Sequence, residues 1–195
     1  MPLFKQGKYE LGMDYIDKAV KYNRNVWQEY RACIKCIFAK TYRDAIADFE
    51  DCKLRQGNSY VMDHAYDFYI ALSKIQLNEY SEAEALLEKE VKRQVDNQGE
   101  EWVHHLDLFY LGIAKLEQAK YEKAIRDFNK ALKLYPEFSE VLYYKSDCLR
   151  RLGQSAKADK LLKETKKFGK LGYTINEDNS IYERYPYQIR WELWD

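Results

Sequence analysis

The sequence predicts an all-α protein made of stacked antiparallel helix pairs, and three observations predict it. One short string recurs along the chain at a spacing of a few tens of residues, the signature of a repeat architecture. Hydrophobic residues make up 46% of the 195 residues and charged residues 33%, the balance of an ordered chain rather than a disordered one. Proline stands only at positions 2, 136 and 186, which leaves the middle of the chain free to form long helices.

The recurring string is Tyr42-Arg-Asp-Ala-Ile-Ala-Asp-Phe49, then Tyr80-Ser-Glu-Ala-Glu-Ala-Leu-Leu87, then Tyr121-Glu-Lys-Ala-Ile-Arg-Asp-Phe128. Each reads Tyr, Ala three on, and a large apolar residue four beyond that. Ala156-Lys-Ala158-Asp-Lys-Leu-Leu162 is a weaker fourth copy. A second helical segment precedes each string, most clearly Leu108-Phe-Tyr-Leu111-Gly112-Ile-Ala-Lys-Leu116. Small residues at Gly112 and Ala124 let two antiparallel helices approach closely. Phe128 then fills the space between one hairpin and the next. One hairpin cannot bury its own apolar face, so the units must stack.

The unit 105–138 resembles a tetratricopeptide repeat. Leu108, Leu111 and Gly112 stand where W-x2-L-G is expected, and Ala124, Phe128 and Pro136 follow at the right distances. Lys115 departs from the pattern, which prefers Tyr there. Four units in series over about 26–172 identify the chain as a member of that family. The resemblance implies an α-solenoid of helix hairpins winding into a right-handed superhelix. The expected organisation is an array over 1–172, with a half repeat at 1–25 and repeats at about 26–63, 64–104, 105–138 and 139–172. Nine helices are expected, at about 6–21, 26–38, 42–55, 61–77, 80–95, 101–118, 121–134, 138–152 and 155–168. The turn-rich stretches Gln56-Gly-Asn-Ser59 and Asp96-Asn-Gln-Gly99 absorb the longer spacings.

The two ends differ from the repeats. Tyr9, Gly12 and Ile16 match the second helix of a unit whose first helix is missing. Either the natural chain begins earlier or the gene starts at a half repeat; the first is favoured, and it leaves room for a targeting segment. After Gly169 and Gly172, the stretch 173–195 leaves the pattern and is rich in Tyr, Ile and Trp. It reads as a capping segment for the open face of the last hairpin.

Charge excludes one class of partner. Lys and Arg number 32, as do Asp and Glu, so net charge is zero, whereas a nucleic-acid binder shows a clustered basic excess. The basic run 163–170 is interrupted by Glu164, Thr165, Phe168 and Gly169 and reads as a solvated helix face. No apolar stretch reaches the ~18 residues of a membrane span. The four cysteines are expected as free thiols in a reducing compartment, hence a cytoplasmic protein.

Catalytic and metal chemistry find little support. Cys33 and Cys36 form C-x-x-C without the strand context of a redox enzyme, and Cys52 and Cys148 offer no second pair for zinc. Cys33 and Cys52 fall on the small-residue packing positions of the repeat. His104 and His105 point about 100° apart on a helix. Asn176-Glu-Asp-Asn-Ser180 resembles a calcium loop but lacks its Gly and terminal Glu. No phosphate-binding, nucleophile-elbow or zinc-protease motif is present. The expectation is no enzyme, no cofactor and no metal.

The first helices carry paired residues at one fixed place: Tyr30-Arg31, Phe68-Tyr69, Phe109-Tyr110 and Tyr143-Tyr144. One turn on stand Ile34, Leu72, Ile113 and Asp147. In tetratricopeptide proteins this place tends to line the concave groove. The resemblance therefore implies a partner-binding groove formed by Tyr30, Arg31, Ile34, Phe68, Leu72, Phe109, Ile113, Tyr143 and Asp147. The alternative is that these rings fill the core, with one member of each pair inward and the other in the groove. The Lys, Asn and Arg clamp that family members use for a chaperone's terminal carboxylate is replaced here by Tyr30, Ile34, Phe68, Leu72 and Phe109. The function expected is a non-catalytic interaction module, an adaptor or scaffold, that binds a protein or peptide partner. The alternative is an inhibitor or immunity-type protein that occludes a partner enzyme.

Overall fold

The computed structural model describes residues 1–194, apart from the side chain of Asp178. It is an all-α helical-repeat fold whose chain divides into two compact units. The first comprises Met1–Glu79 with Glu177–Tyr185, and the second Tyr80–Asn176 with residues 186 onward.

In the first unit, α1 (Pro2–Lys5) and α2 (Tyr9–Tyr22) lead into α3 (Arg24–Ile34), which runs on as a π-helical turn over Lys35–Ala39. α4 (Tyr42–Gln56) returns antiparallel. Both stretches bury small side chains, Ala32, Cys33 and Cys36 on one and Ala45 and Cys52 on the other, and the Cys36 thiol donates to the main-chain oxygen of Tyr69 at 3.7 Å. The π turn points three consecutive residues inward, Cys36, Ile37 and Phe38, and Phe38 meets Phe4 of α1 at 6.0 Å. Phe49 stacks on Tyr69 at 5.2 Å, joining α4 to α5 (Tyr66–Gln76).

The expected helix over 61–77 starts only at Tyr66. Residues 60–65 form a hairpin instead, β1 (Tyr60–Val61) against β2 (His64–Ala65), with Val61 opposite His64. Met62 and Asp63 both hold positive φ, 47° and 70°, the requirement of a two-residue loop whose twist matches its strands. The Tyr69 hydroxyl donates to the main-chain oxygens of Val61 and Met62 at 3.1 and 3.0 Å and pins the hairpin to α5. A helix through 61–65 would lose those bonds.

In the second unit, α6 (Tyr80–Gln98) is followed by α7 (His105–Glu117), α8 (Tyr121–Leu134), α9 (Ser139–Arg151) and α10 (Ser155–Lys170). Gly112 lies under the ring of Phe128, where a Cβ would stand 2.3 Å from a ring carbon. This is the close approach that the repeat pattern requires between first and second helix. Phe109 sits among Phe128, Phe138 and Tyr144 at 6.3, 5.3 and 5.9 Å, an aromatic core that ties α7, α8 and α9 together.

A charged pair recurs at one repeat position. In the first unit Asp48, nearly buried on α4, accepts from Arg31 at 2.6 and 2.7 Å and from Lys35 at 2.8 Å. In the second, Asp127 on α8 accepts from Lys115 at 2.7 Å. Lys115, the departure from the tetratricopeptide pattern, is therefore held by a carboxylate. Burial works against its charge, but the hydrogen bonds it donates to Asp127 and Glu88 outweigh that and raise its pKa.

Candidate peptide-binding face

In the second unit one side of the first helices, α7 and α9, is covered by a stretch of the chain itself, residues 186–194, which opens on a turn at Pro186–Tyr187. Phe109 and Tyr110 are adjacent on α7, about 100° apart around the helix. Phe109 turns into the core, and Tyr110 turns its hydroxyl outward to donate to the main-chain oxygen of Pro186 at 2.8 Å. On α9 the Tyr144 hydroxyl donates to the oxygen of Tyr187 at 3.1 Å. The Tyr187 hydroxyl donates to Glu117 at the end of α7, 2.9 Å away.

Further along, the segment meets Glu140 in the first turn of α9. This carboxylate is fully buried and has four donors. The Ile189 amide reaches it at 3.3 Å and the Trp191 indole N–H at 3.2 Å, while the hydroxyls of Ser139 (3.1 Å) and Thr174 supply the others. Burial raises the pKa of Glu140, and these hydrogen bonds only partly oppose that. Trp191 lies over Gly169 of α10, and Trp194 meets Tyr143 edge-on at 5.3 Å. The stretch has no regular structure apart from a single 3-10 turn at Trp191–Leu193.

The first unit holds residues 177–185 in a similar way. Tyr185 is buried, and Glu183 is held by Lys40 at 2.8 Å and by the Tyr9 hydroxyl. Elsewhere this unit keeps an open apolar cleft of about 480 Å³ between α1, α2 and α3, lined by Leu3, Tyr15, Ile16, Trp27, Tyr30 and Ile34. Tyr15, Trp27 and Tyr30 are 60%, 40% and 38% exposed.

The residues expected to line a groove divide into two groups. Tyr30 is exposed in the cleft, with Ile34 at its buried floor. Tyr143 and Asp147 are partly exposed, Tyr143 beside Trp194 and Asp147 paired with Arg151 at 2.9 Å. Arg31 is engaged by Asp48 and Asp17. Phe68, Leu72, Phe109 and Ile113 are fully buried, and Phe68 stacks on His64 at 3.8 Å. In the second unit it is the second member of each pair, Tyr110 and Tyr144, whose hydroxyl meets residues 186–194. Glu140 could not be picked out from the sequence, where it is one acid among many in a helical first turn.

The cysteines are packing residues. All four are free and buried, and burial pushes the thiols of Cys33 and Cys36 up to about 12, far from the reactive thiolate. His104 caps α7 by accepting the Leu106 amide at 3.2 Å, and His105 packs edge-on to Tyr135 and Phe138. No helix among the described residues is long and apolar enough to cross a membrane.

Comparisons with known proteins agree with this geometry. Residues 105–138 and 128–160 each match a family profile described as tetratricopeptide repeat. No curated protein matches the sequence. Among solved structures, MamA is 14% identical, covering 88% of this chain and 94% of its own, with a TM-score of 0.69. A MamA fragment from Desulfovibrio magneticus RS-1, residue 41 to its end, is 15% identical over 87% of this chain and 90% of its own, at 0.71. YrrB, described as a TPR protein with an unusual peptide-binding site, is 15% identical over 85% of this chain and 80% of its own, at 0.61. At such identities the likeness is one of fold. With two profile matches, the Gly112–Phe128 contact and the repeated hairpins all in agreement, residues 105–160 carry tetratricopeptide repeats within a chain of helical-repeat fold.

Proposed function

We propose that this chain is a non-catalytic interaction module that holds a partner polypeptide against the outward faces of its first helices, with Tyr30 and Tyr143 among the contacts. The observation that carries this reading is the pair of hydrogen bonds from Tyr110 and Tyr144 to successive main-chain oxygens, Pro186 and Tyr187. A helix face whose hydroxyls address carbonyls is suited to an extended peptide. Tyrosine also buries a large area at small rotamer cost. The open cleft beside Tyr30 offers a second apolar seat. The peptide-binding site in the description of YrrB is in keeping with this role. We assign residues 173–195 to a segment separate from the repeat array, whose residues 186–194 cover the last hairpins.

Site-directed photo-crosslinking in the native host tests the proposal. A photoreactive phenylalanine replaces Tyr30, Tyr143 or, as a control on the outer side of α8, Lys123. One partner polypeptide captured from positions 30 and 143 and not from 123 is the expected result. Equal capture from all three, or products confined to the chain itself, would overturn it.

A further inference from the structure

Resting on that reading, we infer that the face formed by α7 and α9 is specific for a partner segment with the chemistry of residues 186–194. That chemistry is a proline followed by an aromatic residue, with a tryptophan four residues after the aromatic. The chain's own segment holds the place until such a partner displaces it.

The demands on a ligand follow from what the face offers. Tyr110 and Tyr144 read two successive main-chain oxygens, presented here from a turn at Pro186–Tyr187. The Pro186 position suits proline because a residue without an amide hydrogen brings no donor to be left unpaired there. The aromatic at 187 reaches Glu117 through its hydroxyl. Glu140 is the most selective element: a buried carboxylate needs donors, and here the segment supplies a main-chain amide and an indole N–H. An acidic side chain at the Trp191 position would confront a like charge in a buried site. Tryptophan also matches Gly169 in shape, since any larger residue at 169 would collide with the ring.

The resident segment is suited to leave. Outside one 3-10 turn it has no internal helix or strand, and Tyr187 holds φ at 63°, a left-handed conformation that a bulky residue adopts at a cost. The resident segment's own advantage is its tether, which keeps it at an effective concentration on the order of millimolar.

The test uses the full chain and a fluorescein-labelled synthetic peptide of residues 184–194. In the chain, Tyr187→Ala with Trp191→Ala removes the resident anchors and leaves the face unaltered. The peptide is expected to bind this variant on the order of 100-fold more tightly than the wild type, because the tethered competitor is weakened. Adding Tyr110→Phe and Tyr144→Phe to the variant should weaken peptide binding about tenfold. A peptide carrying Trp191→Ala should bind neither form. Equal binding to wild type and variant overturns the inference, as does no binding to a variant that keeps its helical circular dichroism. If the double variant loses that signal, Tyr187→Ala alone is judged by the same criteria. A crosslinked partner at Tyr143 whose contacting segment lacks the pattern would sink this inference and leave the interaction module standing. Peptide binding without any crosslinked partner would do the reverse.

Discussion

The indole of Trp191 lies directly over Gly169, so close that a Cβ at 169 would stand 2.2 Å from the ring. That contact fixes the end of the chain to α10, and a single methyl group is enough to disturb it. In Gly169→Ala the ring must move, and Glu140 loses the indole N–H with it. Trypsin cleavage at Arg190 is expected to accelerate at least tenfold. The far-UV helix signal should hold, since alanine favours a helix over glycine. An unchanged cleavage rate would mean that the ring has room to shift and that the contact does not anchor the segment.

Phe128 is fully buried against Gly112 and Phe109, whereas Lys163 is exposed on α10. Phe128→Ala should cost about 3–5 kcal/mol in denaturant melts. Lys163→Ala should cost less than about 0.5 kcal/mol.

Phe68 and Phe109 are core residues, one stacked on His64 and the other among three rings. Replacing both by Ser removes two buried aromatics at about 3–5 kcal/mol each, comparable to the whole stability of a small domain. The expected outcome is loss of helical circular dichroism. A folded double variant defective only in binding would instead place them on the partner surface.

Burial holds the Glu140 carboxyl above its ordinary range, so the folded chain takes up its proton more readily than the unfolded chain does. Stability linked to this group is therefore present in full below the ordinary Glu value of about 4.3 and is lost as pH rises through the elevated folded value. Glu140→Gln cannot titrate at that site. Thermal melts from pH 7 down to about 4 should show the wild type gaining on the variant as pH falls. A constant difference would mean that the carboxyl is not perturbed.

How legible the structure was in the sequence depended on the range of the interactions. Tyr121, Ala124 and Phe128 recur because each meets a neighbour within its own or the next hairpin, and short-range packing leaves a periodic trace. The hairpin at 60–65 was hidden because the residues that impose it, Met62 and Asp63, are not the usual glycine or asparagine of a left-handed turn. The paired aromatics alternate between the core and the side that meets residues 186–194, and the sequence does not say which member turns which way. Phe109 and Tyr110 differ by one hydroxyl, and which turned outward was decided by a main-chain oxygen 76 residues away. Glu140 left little local signal because, Ser139 apart, its donors come from positions 174, 189 and 191, beyond any repeat.

The carboxylates Asp48 and Asp127 have a consequence for assembly order during folding. Apolar side chains on two antiparallel helices can re-form adequate contacts after one helix slides by a residue, so hydrophobic packing alone tolerates misalignment. A charge does not. If α3 slipped along α4, Asp48 would be carried away from Arg31 and Lys35 while still out of water, and stranding one partner of such a pair costs about 3–5 kcal/mol. Lys115 and Asp127 impose the same penalty on α7 and α8. Each pair acts as a register pin, a local proofreading device that rejects hairpins paired out of step before the next one stacks on them.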